Sequence, residues 1–179
     1  LHDALPISLA KSCDKTVNVI CVDAWPPYTF NNEDLKKLSA YQEGMEFDIS
    51  HFRKNISDCP NIEVMEGCST EIPWEKERLI DLIFIDGDHE SPGVNNDLEC
   101  WFERLKTDGI FSGHDFNVGV FPDVCKAVIE KSEKENLPFK LFEKSAIWVI
   151  EKESEKYRNQ GWAPNEETVE EIKEMLERS

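Results

Sequence analysis

The sequence predicts an α/β domain on a mostly parallel sheet, closed near its C-terminus by an antiparallel hairpin. Three observations carry this. An apolar run, Leu82 to Ile85, stops at Asp86-Gly87-Asp88-His89, as a buried parallel strand does when its C-terminal end carries polar chemistry. Val94, Leu98, Trp101, Phe102 and Leu105 then recur at i, i+4, i+7, i+8 and i+11, the apolar stripe of a helix lying on a sheet. Thr107-Asp108-Gly109 breaks that helix, and Ile110 to Gly113 leads into a second polar terminus, His114-Asp115. Strand, helix and strand form one right-handed crossover. Asp86, Asp88, His89, His114 and Asp115 are therefore expected on one edge of the sheet, where open α/β sheets bind ligands.

Taken in order, Leu1 to Ser8 (LHDALPIS) has the look of junction sequence and is kept out of the fold reasoning. Leu9 to Lys15 reads as the end of a helix, and Val17 to Val22 as a strand ending at Asp23. The polar stretch from Asn31 to Ser57 holds two helical pieces separated by Gly44, the first capped by Asn32 before Leu35 and Leu38. The second carries Ile49, Phe52 and Ile56 at helical spacing. Asn61 to Met65 is a short strand, followed by the turn Glu66-Gly67-Cys68-Ser69; Ser69 is also placed to cap a helix starting near Pro73. After a loop from Phe116 to Phe121, Pro122 suits the first turn of a helix with Val124, Cys125, Val128 and Ile129 on its apolar face. Phe139 to Phe142 and Ala146 to Ile150 are the hairpin strands. Residues 1–8, 9–150 and 151–179 thus divide as junction, domain, and a polar linker with a terminal amphipathic helix. That helix carries Val169, Ile172, Met175 and Leu176 on one stripe, to dock on the domain or a partner.

Composition narrows the function. The chain has 179 residues, 20 basic and 37 acidic, for a net charge of −17. So acidic a surface repels phosphate backbones and anionic membranes, which argues against nucleic acid and lipid as partners. A homo-oligomer is compatible with it. Six cysteines show no C-x-x-C pair and no tight metal spacing, and Cys21, Cys100 and Cys125 sit in apolar patterns, as reduced core thiols do in a reducing cytoplasm. No apolar stretch approaches the roughly 18 residues of a membrane span, and no secretory signal is evident at the N-terminus.

From Ile85 to Asp115 the chain resembles the class I S-adenosylmethionine-dependent methyltransferases, in the group with the signature IDGDH…V..DL..W…LK.GG…GHD. The match is nearly position for position, with Asp108 where the family usually has glycine. A looser resemblance runs from Val17 to Ile150. It implies a Rossmann-like three-layer sandwich in which Leu82 to Ile85 is the family's strand 4. It also implies that Asp23 ends strand 2 and accepts hydrogen bonds from the cofactor's ribose hydroxyls. The turn with Cys68 and Ser69 would lie against the adenine, with Asp86 also at the cofactor. The family's glycine-rich turn follows strand 1, yet no glycine precedes Val17; the expectation is that strand 1 is missing, leaving an apolar seam between strands 2 and 4.

Related metal-dependent O-methyltransferases ligate their ion with an acid after strand 4 and an acidic pair after strand 5. Here those positions are Asp86 and His114/Asp115, with Asp88 as a substitute. Such donors suit Mg²⁺, Mn²⁺ or, with more nitrogen, Fe²⁺ or Zn²⁺. His89, with an intrinsic pKa near neutral, is the candidate base beside Asp86; its structural alternative is a hydrogen bond tying down the loop after the strand. Asp97 reads as a solvated or capping residue, and Trp101 as core. The implied reaction is methyl transfer to oxygen of a small molecule or sugar. Two other readings are a non-catalytic methyltransferase-like remnant, and a nucleotide-sugar glycosyltransferase using Asp86-Gly87-Asp88 as a D-x-D motif.

Overall fold

The computed structural model describes residues 4–25, 49–142, 145–152 and 166–178. It divides into two compact units, Leu1–Pro73 and Trp74–Ser179. The pieces expected around Asn32, Leu35, Leu38 and Gly44 lie outside the described residues.

In the first unit, α1 (Ala4–Ser12), β1 (Val19–Asp23), α2 (Ile49–Asn55) and β2 (Ile62–Glu66) follow in order. The strands pair in parallel, from Val19 opposite Ile62 to Asp23 opposite Glu66. Ala10, Phe52, Ile56 and Cys59 form the core, with Ile7, Val19, Cys21, Trp25, Ile62 and Val64 packed against it. Residues 4–8, set aside in the sequence, thus begin a helix whose Ile7 joins the packing. The Asn61 amide donates to the carbonyls of Ala10 and Val17, tying the end of α1 to the start of β1.

No helix forms near Pro73. The Cys68 carbonyl accepts the N–H groups of both Glu71 and Ile72, closing a tight turn, and Pro73 has no N–H with which to extend it.

The second unit runs β3 (Ile80–Ile85), α3 (Gly93–Phe102), β4 (Leu105–Gly113), α4 (Pro122–Glu135), β5 (Phe139–Phe142), β6 (Ile147–Glu151) and α5 (Glu166–Arg178). The sheet order is β3-β4-β6-β5. β3 and β4 are parallel, whereas β6 is antiparallel to both neighbours. Among the described residues β1-β2 and β3-β4-β6-β5 are separate sheets, and Leu82 on edge strand β3 is 47% exposed.

The crossover helix ends sooner than its apolar spacing suggests. α3 stops at Phe102, and Leu105 is the first residue of β4. Leu105 still reaches the core, but from a strand, because periodicity alone cannot tell the last turn of a helix from the next element. Thr107-Asp108-Gly109 lies inside β4, where the register jumps from Ile80–Leu105 to Leu82–Ile110. A Cβ on Gly109 would stand 2.7 Å from the Leu105 side chain and 3.0 Å from the Lys106 carbonyl, so this irregularity needs glycine.

Phe139, Ile150 and Phe111 stand in register across three strands. Phe111 makes edge contacts with Phe102 of α3 and Trp148 of β6 at 5.3 and 5.4 Å. Phe111, Val128, Cys125 and Ile150 are wholly buried, and each large apolar side chain so placed stabilises by about 1.5–3 kcal/mol. α4 begins with Pro122 in its first turn and ends at a left-handed Asn136. α5 docks on it through buried Ile172 and a Lys173–Glu133 ion pair of 2.6 Å. No helix among the described residues is long and apolar enough to cross a membrane.

Candidate functional site

The two polar termini meet because parallel β3 and β4 end at the same edge. The His114 N–H donates to the Ile85 carbonyl at 3.0 Å, carrying the ladder one step past the strand and setting Asp86 beside His114 and Asp115. Asp115 is left-handed, with φ of 64°, a conformation Asp tolerates better than most residues.

Its carboxylate is shared. Oδ2 lies 2.8 Å from His89 Nε2 and Oδ1 lies 3.0 Å from His114 Nδ1. An ionised carboxylate only accepts, so both rings donate: His89 as its Nε2–H tautomer, His114 as its Nδ1–H tautomer. The lone pairs fall on His89 Nδ1 and His114 Nε2. His89 also stacks on Phe121, with ring centroids 4.4 Å apart. Its loop is fastened by Ser91 N–H to Asp123 at 2.9 Å and by Glu90 N–H to Asp88 at 3.0 Å. The hydrogen bond to Asp115 therefore serves both readings of His89, holding the loop and orienting the ring.

Strand β6 braces the other side. Trp148, 1% exposed, donates its indole N–H to the His114 carbonyl at 3.1 Å. The Phe116 N–H reaches the Ala146 carbonyl at 3.0 Å. Asp86, Asp88, His89, His114, Asp115 and Trp148 all line one small cleft.

Asp86, His114 and Asp115 each offer a ligand atom, all within 4.8 Å of one another. Opposed ligands of a cation with bonds of about 2.1 Å stand about 4.2 Å apart, so the trio fits one divalent ion after small side-chain movements. Asp88 stands outside this trio. One of its oxygens accepts from Glu90, and the other packs where a Cβ of Gly93 would be.

Asp97 is not solvated as expected but buried, at 7% exposure. Its Oδ2 lies 3.1 Å from where Gly87 would carry a Cβ, so the glycine of Asp86-Gly87-Asp88 makes room for the helix carboxylate. Trp101 is core, as expected, and packs edge-on against Trp74. Phe121 and Trp148 escaped the sequence reading: one sits in an irregular loop, the other reads as one more strand residue.

In the first unit, Asp23 and the turn after β2 share a sheet edge. Asp23 Oδ1 accepts the Trp25 N–H at 2.8 Å, and the Asp23 carbonyl accepts from Gly67 at 2.9 Å. Gly67 has φ of 150°, which other residues rarely adopt. Cys68 Sγ lies 3.3 Å from Thr70 Oγ1, with Ser69 next in the turn. Burial, and then the neighbouring Asp23 charge, push the Cys21 thiol up to about 11.

Known proteins can now be compared with this geometry. The apo structure of CalS11, a TDP-rhamnose 3'-O-methyltransferase of calicheamicin biosynthesis, covers 84% of this chain and 64% of its own, at TM-score 0.53 and 12% identity. A crystal structure of CalS11, calicheamicin methyltransferase, covers 84% and 65% at TM-score 0.55 and 13% identity. The O-methyltransferase NovP covers 75% and 59% at TM-score 0.52 and 14% identity. The chain thus spans about three fifths of these proteins. Likeness at such identities is one of fold, the Rossmann-like α/β arrangement. No curated protein matches. Residues 5–116 match the family described as a methyltransferase domain; with more than half of its length inside that match, the chain belongs to this family.

Proposed function

We propose that the chain carries the site of an S-adenosylmethionine-dependent O-methyltransferase acting on a small molecule or sugar. The observation that carries this reading is the convergence of Asp86, His89, His114 and Asp115 at the ends of β3 and β4, in a chain of the methyltransferase domain family. The O-methyltransferases that share the fold support oxygen as the acceptor atom and a sugar or other small molecule as its carrier. Work in a reducing cytoplasm agrees with the six free thiols.

Methyl transfer from a sulfonium is an in-line displacement, so the protein's tasks are alignment and removal of the acceptor's proton. His89 is the base: Asp115 holds its Nε2–H, leaving the Nδ1 lone pair to take a hydroxyl proton and Asp115 to steady the resulting imidazolium. Asp23 would accept the ribose hydroxyls, a carboxylate being suited to a vicinal diol. Cys68 and Ser69 would flank the adenine. Asp86, His114 and Asp115 would hold a divalent metal, whose contribution is to make a bound hydroxyl more acidic. The grouping of Asp86 with His114 and Asp115, while the Asp88 carboxylate turns to the Glu90 N–H and Gly93, favours this reading over the D-x-D glycosyltransferase one.

Isothermal titration with S-adenosylhomocysteine, with and without Mg²⁺, tests the proposal on this chain and on one extended upstream. Binding that Asp23→Ala abolishes supports it. Silence from both chains rejects the cofactor and favours the non-catalytic remnant.

A further inference from the structure

We infer that Trp148 is a positioning residue for the His114-Asp115 pair: its indole N–H, with the Ala146 carbonyl, fixes the backbone that makes Asp115 a shared acceptor for two histidines. This deepens the proposed function, but its geometric content stands apart from any cofactor. Asp115 can serve both rings only while its left-handed conformation holds; the His114 N–H bond to Ile85 ties the residue before it to β3, and the Asn117 N–H closes a turn on the Asp115 carbonyl at 2.8 Å. Two further bonds, to Trp148 of β6 and to Ala146 just before it, bracket the residue from the other side, one to the carbonyl of the residue before it and one from the N–H of the residue after it.

Trp148 is itself fixed from three sides. Its ring packs on Gly113, where a Cβ would stand 2.7 Å from Cε2. Phe111 abuts it at 5.4 Å, and the Ser112 hydroxyl donates to its carbonyl at 2.7 Å. A side chain immobilised in this way can transmit position through one hydrogen bond. The consequence lies in the imidazoles: His114 is held as Nδ1–H, the form less favoured by a free ring, and His89 as Nε2–H.

The test is ¹⁵N NMR of the histidine side chains in the full chain, without cofactor, at about pH 8.5. Trp148→Phe keeps a buried aromatic ring while removing the donor and part of the indole's volume. The expected result is loss of the His114 Nδ1–H signal in favour of Nε2–H. Ile150→Val, a cut in the same strand away from the bracket, should leave the tautomer untouched. A retained Nδ1–H signal in Trp148→Phe, or equal loss in Ile150→Val, overturns the inference. So does rapid solvent exchange of the Trp148 indole N–H in the wild-type chain, a measurement that needs no variant. If the chain methylates an acceptor, Trp148→Phe should lower kcat while leaving the cofactor KM unchanged; absence of S-adenosylhomocysteine binding would reject the proposed function and leave the NMR result standing.

Discussion

Replacing Gly113 by alanine tests the packing under the site most directly. The added Cβ would stand 2.5 Å from the Ile85 carbonyl oxygen and 2.7 Å from Trp148 Cε2, with Trp148 Cζ2 nearer still. Neither neighbour yields cheaply. The Ile85 carbonyl is main chain and accepts the His114 N–H, while Trp148 is buried and bonded at both its indole N–H and its carbonyl. Overpacking of this kind costs about 1–3 kcal/mol, and more where backbone must move. At about 4 °C per kcal/mol for a unit of this size, the melting temperature should fall by about 4–12 °C. Thermal unfolding followed by tryptophan fluorescence reads it, with Gly119→Ala as reference, since a Cβ there meets only Asn117 Oδ1 at 3.6 Å. A Gly113→Ala chain that melts within about 1 °C of wild type would show that the β3–β4–β6 junction is looser than this reasoning requires.

Three further outcomes are expected. Asp115→Asn keeps a residue tolerant of positive φ but removes the shared carboxylate, so methyl transfer should fall by about 10²–10⁴-fold with little loss of thermal stability. Burial pushes the Cys125 thiol up to about 12 from 9.0. The neutral thiol's contribution is therefore fully present below pH 9.0 and is lost as pH rises toward 12, so urea midpoints should drop over that range less in Cys125→Ala than in wild type. The Lys131 side chain is 3% exposed between Glu99 and Glu135, whose carboxylates are 48% and 30% exposed. Urea denaturation should show Lys131→Met costing about 1 kcal/mol or less, since the stem stays packed and the acids reach water, and Lys131→Glu about 3–5 kcal/mol.

What the sequence disclosed, and what it concealed, follows from the range of the forces involved. Val94, Leu98, Trp101 and Phe102 announced their burial because a helix on a sheet repeats its demand every turn. The hairpin Phe139–Phe142 with Ala146–Ile150 was legible for the same local reason. Leu105 misled, since an apolar residue in phase with a helix is equally suited to begin a buried strand. Asp97 misled more deeply: a lone acid on a helix is ordinarily solvated, and the room that Gly87 leaves for its carboxylate is a contact ten residues away in sequence. At the site, the meeting of Asp86 with His114 and Asp115 followed from the crossover alone. The division of one carboxylate between two rings, and the part of Trp148 in fixing it, depend on contacts across 26 and 34 residues of chain. No local pattern encodes those.

The position of β6 between β4 and β5 has a consequence for biosynthesis. A nascent chain that has emerged only as far as Phe121 already contains Asp86, His89, His114, Asp115 and the stacking phenylalanine. It lacks Ala146 and Trp148, so the left-handed turn at Asp115 has its bonds to Ile85 and Asn117 but not the bracket on its other side. Contacts of such sequence separation form late, after their loop-closure entropy has been met. The site should therefore reach its final geometry only once the ribosome has released Ile147–Glu151, and a chain halted before that strand would hold every acid and imidazole of the site with one side of the Asp115 turn unbraced.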